Sequence, residues 1–276
     1  MERHYDPGYY GHAKDKFRFP GVEKVMDHFR TRRAARIHRL LGGQGRILDI
    51  GCGSGRFLHL LSARGNYSLL GSELPGPAAE RARRFPEIQL STTGNFHEQA
   101  TPGSLDAVTL FHVVEHLPDP VSVLKNIHLA LRPGGYLYLS FPNIYSLQGR
   151  WSRGHWLHLD PPRHLILFHP SRFMEKLGEL GFNCISRRGL SLEQNPFGMV
   201  QSLLNRWGGR RDLLFESFKG NKEYTRRSTR ATLLAHRLFF IITFPVFAVS
   251  DLLLSPFRLN ATVTFVFRRQ ENPDKS

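Results

Sequence analysis

Between Ile47 and Phe141 the apolar positions fall into short runs separated by stretches of helical spacing. Ile47–Ile50, Tyr67–Ser72, Ile88–Ser91, Ser104–Leu110 and Tyr136–Phe141 are four to seven residues long and bounded by glycine, proline or polar clusters. That is the length and content of buried strands. Phe57–Leu61, Ala78–Arg83 and Val121–Leu131 lie between them with helical patterns, and Arg132-Pro133-Gly134-Gly135 gives the last a sharp stop. Strands alternating with helices imply right-handed βαβ units and a parallel sheet.

The flanks follow the same logic. Val22, Val25, Met26, Phe29, Ala34, Ile37, Leu40 and Leu41 recur at helical spacing, which predicts one or two amphipathic helices ended by Gly42-Gly43. Downstream, Ser171–Leu180 predicts a helix closed by Gly181, and Phe182–Ile185 a sixth strand. Ala261–Phe267 is the best candidate for a seventh.

The segment from Gly189 to Asn260 stands between those two strands and divides into halves. Arg206, Arg210, Arg211, Lys219, Lys222, Arg226, Arg227, Arg230 and Arg237 make the first basic, while Leu238–Val249 is apolar on every side. Such a helix is buried in protein or in lipid. Leu233 to Phe257 approaches the ~20 residues needed to span a bilayer. Pro245 and Asp251 interrupt it, however, and a final strand that rejoins the sheet requires the chain to return to its starting side. These constraints predict a helix-break-helix dipping into one leaflet, with the basic half on anionic headgroups. A hydrophobic lid or a dimer contact in water is the other reading.

Composition narrows the picture only a little. The 276 residues are 41% hydrophobic and 22% charged, the balance of a globular protein. Cys52 and Cys184 form no disulfide framework and have no metal-site spacing, as suits a reducing compartment. Met1–Tyr5 shows no apolar run, so no signal peptide is expected. The net charge of +15 and pI near 10.4 leave nucleic acid, anionic lipid and acidic substrates open as partners.

Chemistry enters at Leu48-Asp49-Ile50-Gly51-Cys52-Gly53-Ser54-Gly55-Arg56, a strand running through a glycine turn into a helix. Gly51 and Gly53 permit positive φ and close approach of a ligand to bare backbone, and Gly55 lets the helix pack on the strand. Asp49 offers a carboxylate to a cationic ligand, and Glu73, about 20 residues on, stands where a ribose-binding acid belongs. With FHVVEHLPDP and LRPGGYLYLSFPN, this set resembles the class I S-adenosylmethionine (SAM) methyltransferases from about Gly45 to Asn143.

That resemblance implies a doubly wound Rossmann-like α/β sheet of order 3-2-1-4-5-7-6, its last strand antiparallel, with a C-terminal helical insertion. The expected divisions are 1–44 (arm and helices), 45–189 (SAM-binding core), 190–258 (basic and hydrophobic insertion) and 259–276 (final strand and tail). The irregular arm from Tyr5 to Pro20 either carries Tyr9-Tyr10-Gly11-His12 across the cofactor mouth or packs on the surface. The resemblance further implies that Asp49, Gly51, Cys52, Gly53, Gly55 and Glu73 contact SAM. Phe111 and His112 would wall the pocket beside the sulfonium, and Asn95 and Phe96 would approach the adenine. Asn95 departs from the acid usual there, though its amide oxygen still accepts.

His112, Glu115 and His116 also spell H-x-x-E-H, a zinc-hydrolase motif. It requires an α-helix that brings both histidines to one face, whereas this run follows a strand and precedes Leu117-Pro118-Asp119-Pro120. No metal is expected.

In open α/β sheets chemistry collects beyond the carboxyl ends of the strands, which points to the long stretch from Ile144 to Pro170. Trp156–Leu165 resembles the W-x-x-x-D-x-P-R-H-L pattern of a bacterial methyltransferase subfamily. Either His164 or His158 is the general base, with Asp160 beside it, or the histidines are structural and Asp160 pairs with Arg163 to pin the loop. The expected activity is O-methylation of a small-molecule, glycan, lipid-linked or quinone-like acceptor, in the cytoplasm or on the inner face of the membrane. A nucleic-acid methyltransferase is disfavoured, because no D-P-P-Y follows the fourth strand and no RNA-binding module is present. A SAM-binding scaffold without catalysis is disfavoured by the intact glycine turn.

Overall fold

The computed structural model describes residues 20–96 and 99–271. The expected arm with Tyr9-Tyr10-Gly11-His12 lies outside the described residues. The described residues divide into two compact units, one of residues 25–96, 99–141, 170–187 and 264–271, the other of 20–24, 142–169 and 188–263.

The first unit is built on a seven-stranded sheet. Its strands are β1 (Gln44–Ile50), β2 (Asn66–Ser72), β3 (Ile88–Ser91), β4 (Leu105–Phe111), β5 (Leu131–Pro142), β6 (Phe182–Arg188) and β7 (Thr262–Arg269), in the order β3-β2-β1-β4-β5-β7-β6. β1 pairs in parallel with β2 and β4, β2 with β3, and β4 with β5. β7 runs the other way. Ala261 at its start accepts a hydrogen bond from the Asn143 N–H at the end of β5, while Arg268 near its end reaches back to the Gly134 carbonyl. The expected order is thus the observed one.

The helices α1 (Pro20–Leu41), α2 (Arg56–Ser62), α3 (Pro77–Ala82), α4 (Pro120–Ala130) and α6 (Pro170–Glu179) accompany these strands. α1 is a single helix, ended by Gly42 and Gly43 at φ 68° and 92°, conformations that cost glycine nothing. α4 starts where the sequence says: Asp119 accepts from the Ser122 N–H, and Pro120 fills the first turn, where no N–H is needed. The buried carboxyl halves of β1 and β2 carry Ile47 and Leu69 into a core cluster with Leu58 and Leu61 of α2, while Leu48 and Leu70 are buried on the other face of the sheet. One expectation fails at β5. Arg132–Gly135 does not separate helix from strand; it is an irregularity within the strand, which shifts register between Leu105 and Ala107 of β4.

The second unit contains α5 (Leu147–Ser152), an irregular stretch to His169, and the helices α7 (Asn195–Arg206), α8 (Leu213–Lys219), α9 (Lys222–Thr225) and α10 (Arg230–Leu254). Val200, Leu204 and Leu214 form a small buried cluster there, against which Phe240 and Phe247 of α10 pack. The break expected at Pro245 is absent, and α10 is one continuous helix of 25 residues. Pro245 lies on the exposed face, so the hydrogen bond it cannot make is lost on the outside rather than in the packed seam.

Candidate functional site

The site in the sheet unit begins where β1 ends. Gly51, Gly53 and Gly55 take φ of 68°, 59° and 71°. A Cβ on Gly51 would stand 2.5 Å from Val113 Cγ2, and one on Gly55 would press on Ala82 of α3, so both glycines are fixed by close packing. At Gly53 an added Cβ would meet nothing within 4 Å, so this part of the turn faces open space. Cys52 is buried, and burial pushes its thiol well above the ordinary range, so it fills space and supplies no nucleophile.

Glu73 locks onto that turn from the end of β2. Its Oε2 accepts the Gly53 N–H at 2.6 Å and its Oε1 the Leu74 N–H at 3.0 Å. A carboxylate oxygen has two lone pairs, so fixing each by one backbone donor still leaves acceptor capacity for a diol. Beneath them Asp49 is 3% exposed and accepts from Thr109 Oγ1 at 2.6 Å. Burial raises its pKa to about 7 and the Glu73 charge adds to the rise, while the Thr109 hydrogen bond and the Arg33 charge oppose it. A cation arriving here would draw the pKa down again. An open glycine turn, a pinned acid and a buried carboxylate fit a ligand with a ribose and a positive centre, and SAM has both.

Phe111 joins an edge-to-face chain with Phe57 and Tyr138, at centroid distances of 5.2 and 5.4 Å, and Arg33 lies 4.9 Å over its ring. His112 has a positive φ of 57°, donates its N–H to the Ser140 carbonyl, and places Nδ1 3.4 Å from Oε1 of the buried Glu115. Only Val114–His116 forms a helical turn, of the 3-10 type. His112 and His116 therefore do not share an α-helical face. Asn95 is exposed and sits in a turn closed by Thr93, while Phe96 is buried. Sequence reasoning missed Arg33 and Thr109, and it read Glu115 only as part of a zinc motif rather than as the buried partner of His112. Arg33 and Thr109 look like ordinary helix and strand residues, and only the fold reveals their contacts.

In the helical unit the loop after β5 is heavily tied. Trp156 is fully buried with its indole N–H on Gln148 Oε1 at 3.1 Å, and His158 is buried edge-on to it at 5.3 Å. The His158 Nε2 lies close against Gly198 of α7, where a Cβ would stand 2.7 Å away. Arg163 pairs with Asp160 Oδ1 at 2.6 Å, and Arg211 donates to the Trp156 and Leu159 carbonyls. The Asp160–Arg163 pairing of the structural reading is therefore present. His164 is less enclosed than His158. Its Nδ1 sits 2.7 Å from the His158 carbonyl, which accepts only, so Nδ1 donates there and the bond sets the ring's orientation.

Residues 26–187, more than half of the chain, match the model of a family described as a methyltransferase domain. Over 103 residues the chain is 39% identical to the ubiquinone biosynthesis O-methyltransferase of Aeromonas salmonicida, covering 36% of this chain and 43% of that one. Over 105 residues it is 33% identical to the protein of the same name from Xanthomonas campestris pv. campestris, covering 36% and 43%. The chain thus spans less than half the length of these curated relatives. Among solved structures it resembles a putative sarcosine dimethylglycine methyltransferase from Galdieria sulphuraria, with TM-score 0.58, 14% identity and 98% of each chain covered. It also resembles a SAM-dependent methyltransferase from Archaeoglobus fulgidus, with TM-score 0.52, 18% identity and coverage of 87% and 94%. These likenesses agree on the fold, and with the match over 26–187 they show that the chain belongs to the methyltransferase-domain family.

Proposed function

We propose that the protein transfers a methyl group from SAM to an oxygen of a small-molecule acceptor. The observation that carries this reading is the Glu73 carboxylate held on the Gly53 N–H beside an open glycine turn, in a chain of this family. The curated relatives are O-methyltransferases of ubiquinone biosynthesis, and this favours a hydroxyl on a quinone-like acceptor.

When bound, SAM supplies a methyl carbon that accepts an oxygen lone pair as its bond to sulfur breaks, leaving a neutral thioether. The chain has three tasks in that exchange. Glu73 accepts the ribose hydroxyls and the turn at Gly51–Gly53 receives the ligand against bare backbone. Asp49 balances the positive centre. His164 takes the acceptor's proton; its support is the ring orientation fixed by the His158 carbonyl and its place in the chain after the carboxyl end of β5, where such sheets collect their chemistry. In this reading Trp156–Leu165 is the acceptor loop of the W-x-x-x-D-x-P-R-H-L subfamily, and the Asp160–Arg163 pair holds it in shape.

The test incubates the protein with methyl-labelled SAM and a simple catechol. Label in a base-stable ether is the expected product. No transfer with intact S-adenosylhomocysteine binding overturns the oxygen assignment; no binding of either ligand overturns the whole reading.

A further inference from the structure

We propose that the outward face of α10 is a docking surface for an anionic lipid bilayer, lying in the plane of the membrane rather than crossing it. Leu238, Ile241, Ile242, Val246, Val249 and Leu253 are all exposed, Ile242 by 70%. Their spacing of three and four residues puts them in one stripe. At 1.5 Å per residue the helix is about 37 Å long. The stripe from Leu238 to Leu253 runs for about 23 Å of it, an apolar band of the kind that marks an interaction surface. The two ordinary reasons for so apolar a helix do not apply, since only 6% of its apolar window is buried and it stands far from the N-terminus.

The opposite face explains the orientation. Near its start Arg237 donates to Ser217 Oγ of α8, and Phe239 meets the Trp207 ring at 5.0 Å. Near its end Asp251 accepts from Asn195 and from Asn260. Both ends of α10 are therefore fastened to the same packed unit. A spanning helix has its ends on opposite sides of the bilayer, so these bonds leave only an orientation along the surface.

Charge selects the occupant. Exposed Lys222, Arg226, Arg227 and Arg230 precede or open the helix and exposed Arg258 follows it, while Asp251 is buried and Glu223 is the one exposed acid among them. Apolar residues flanked by basic ones match acyl chains beneath anionic headgroups. A second copy of α10 would set these arginines against other arginines. This surface is independent of the methyl-transfer reading.

The experiment pellets the full chain with phosphatidylglycerol–phosphatidylcholine vesicles and with phosphatidylcholine alone. The chain should bind the anionic vesicles about ten-fold or more tightly than the neutral ones, given the worth of each basic residue near such a surface. The exposed pair I242D/V246D should lower binding at least as much with an unchanged melting temperature, and R226E/R227E should abolish the preference for anionic vesicles. Single tryptophans at positions 238, 246 and 253 should be quenched alike by a shallow brominated lipid. Failure to pellet, pelleting indifferent to I242D/V246D, or a gradient of quenching along the helix overturns the proposal. So does a vesicle-free dimer that I242D/V246D dissolves while no lipid binding is seen.

Discussion

The backbone N–H of Gly53 donates to Oε2 of Glu73 at 2.6 Å, across 20 residues of chain. The glycine turn and the acid are consequently one device: the carboxylate sets the turn, and the turn aims the carboxylate. Glu73→Ala should weaken S-adenosylhomocysteine binding in calorimetry by about 1–3 kcal/mol, the scale of hydrogen bonds to a charged acceptor. Glu73→Gln, which keeps an acceptor oxygen, should lose less. Equal affinity for wild type and Glu73→Ala would remove the acid from the site.

Asp49 makes the protein's stability depend on pH. Its folded pKa of about 7 lies above the ordinary 3.8 because burial disfavours the charged form. The stability it contributes is therefore whole below about pH 4 and is lost as pH rises through about 7. Asp49→Asn cannot ionise, so its melting temperature relative to wild type should climb between about pH 4 and 7. A flat difference over that range would show that Asp49 is already ionised in the folded chain.

For His164 the decisive reading is the split between chemistry and binding. His164→Ala should lower turnover roughly 100-fold, the scale of a lost general base, with S-adenosylhomocysteine affinity and melting temperature unchanged. A joint fall in turnover, affinity and melting temperature would mark the residue as part of the loop's scaffold.

Asp251 anchors α10 by accepting from Asn195, Asn260 and the Ser191 N–H. With both asparagines it also lines a cavity of about 200 Å³. Asp251→Ala would strand those donors and enlarge the void, at a cost of about 2–4 kcal/mol, and the melting temperature should drop by several degrees. Retention of the wild-type melting temperature would show that the aromatic seam holds α10 alone.

Much of this molecule was legible from local pattern. The strand–turn–helix at Asp49–Arg56 and the distance to Glu73 depend on neighbours in sequence, and so does the capped start of α4. Even β7 could be placed, because a return to the sheet requires an alternating apolar strand and Ala261–Phe267 provides one. Pattern failed where the outcome hung on which side of an element a residue faces. Pro245 looked like a break, yet it lies on the exposed side of a helix whose other side is packed. Gly134-Gly135 looked like a boundary, yet β4 pairs on both sides of it. Arg33 over Phe111 and Thr109 on Asp49 are contacts between distant segments, and no spacing rule announces them.

The position of β7 between β5 and β6 sets an order of assembly. As the chain leaves the ribosome, β6 appears long before the strand that joins it to the rest of the sheet. During that interval β5 and β6 both present open edges, which invite pairing with other chains. The whole of α10, with its apolar face, emerges before the gap is filled. The last strand thus completes the domain in time as well as in space, and a chain stopped before Thr262 would carry two unpaired edges and an uncovered greasy helix together. Loss of this short terminal segment should be more damaging to folding than deletion of any surface helix of the insertion.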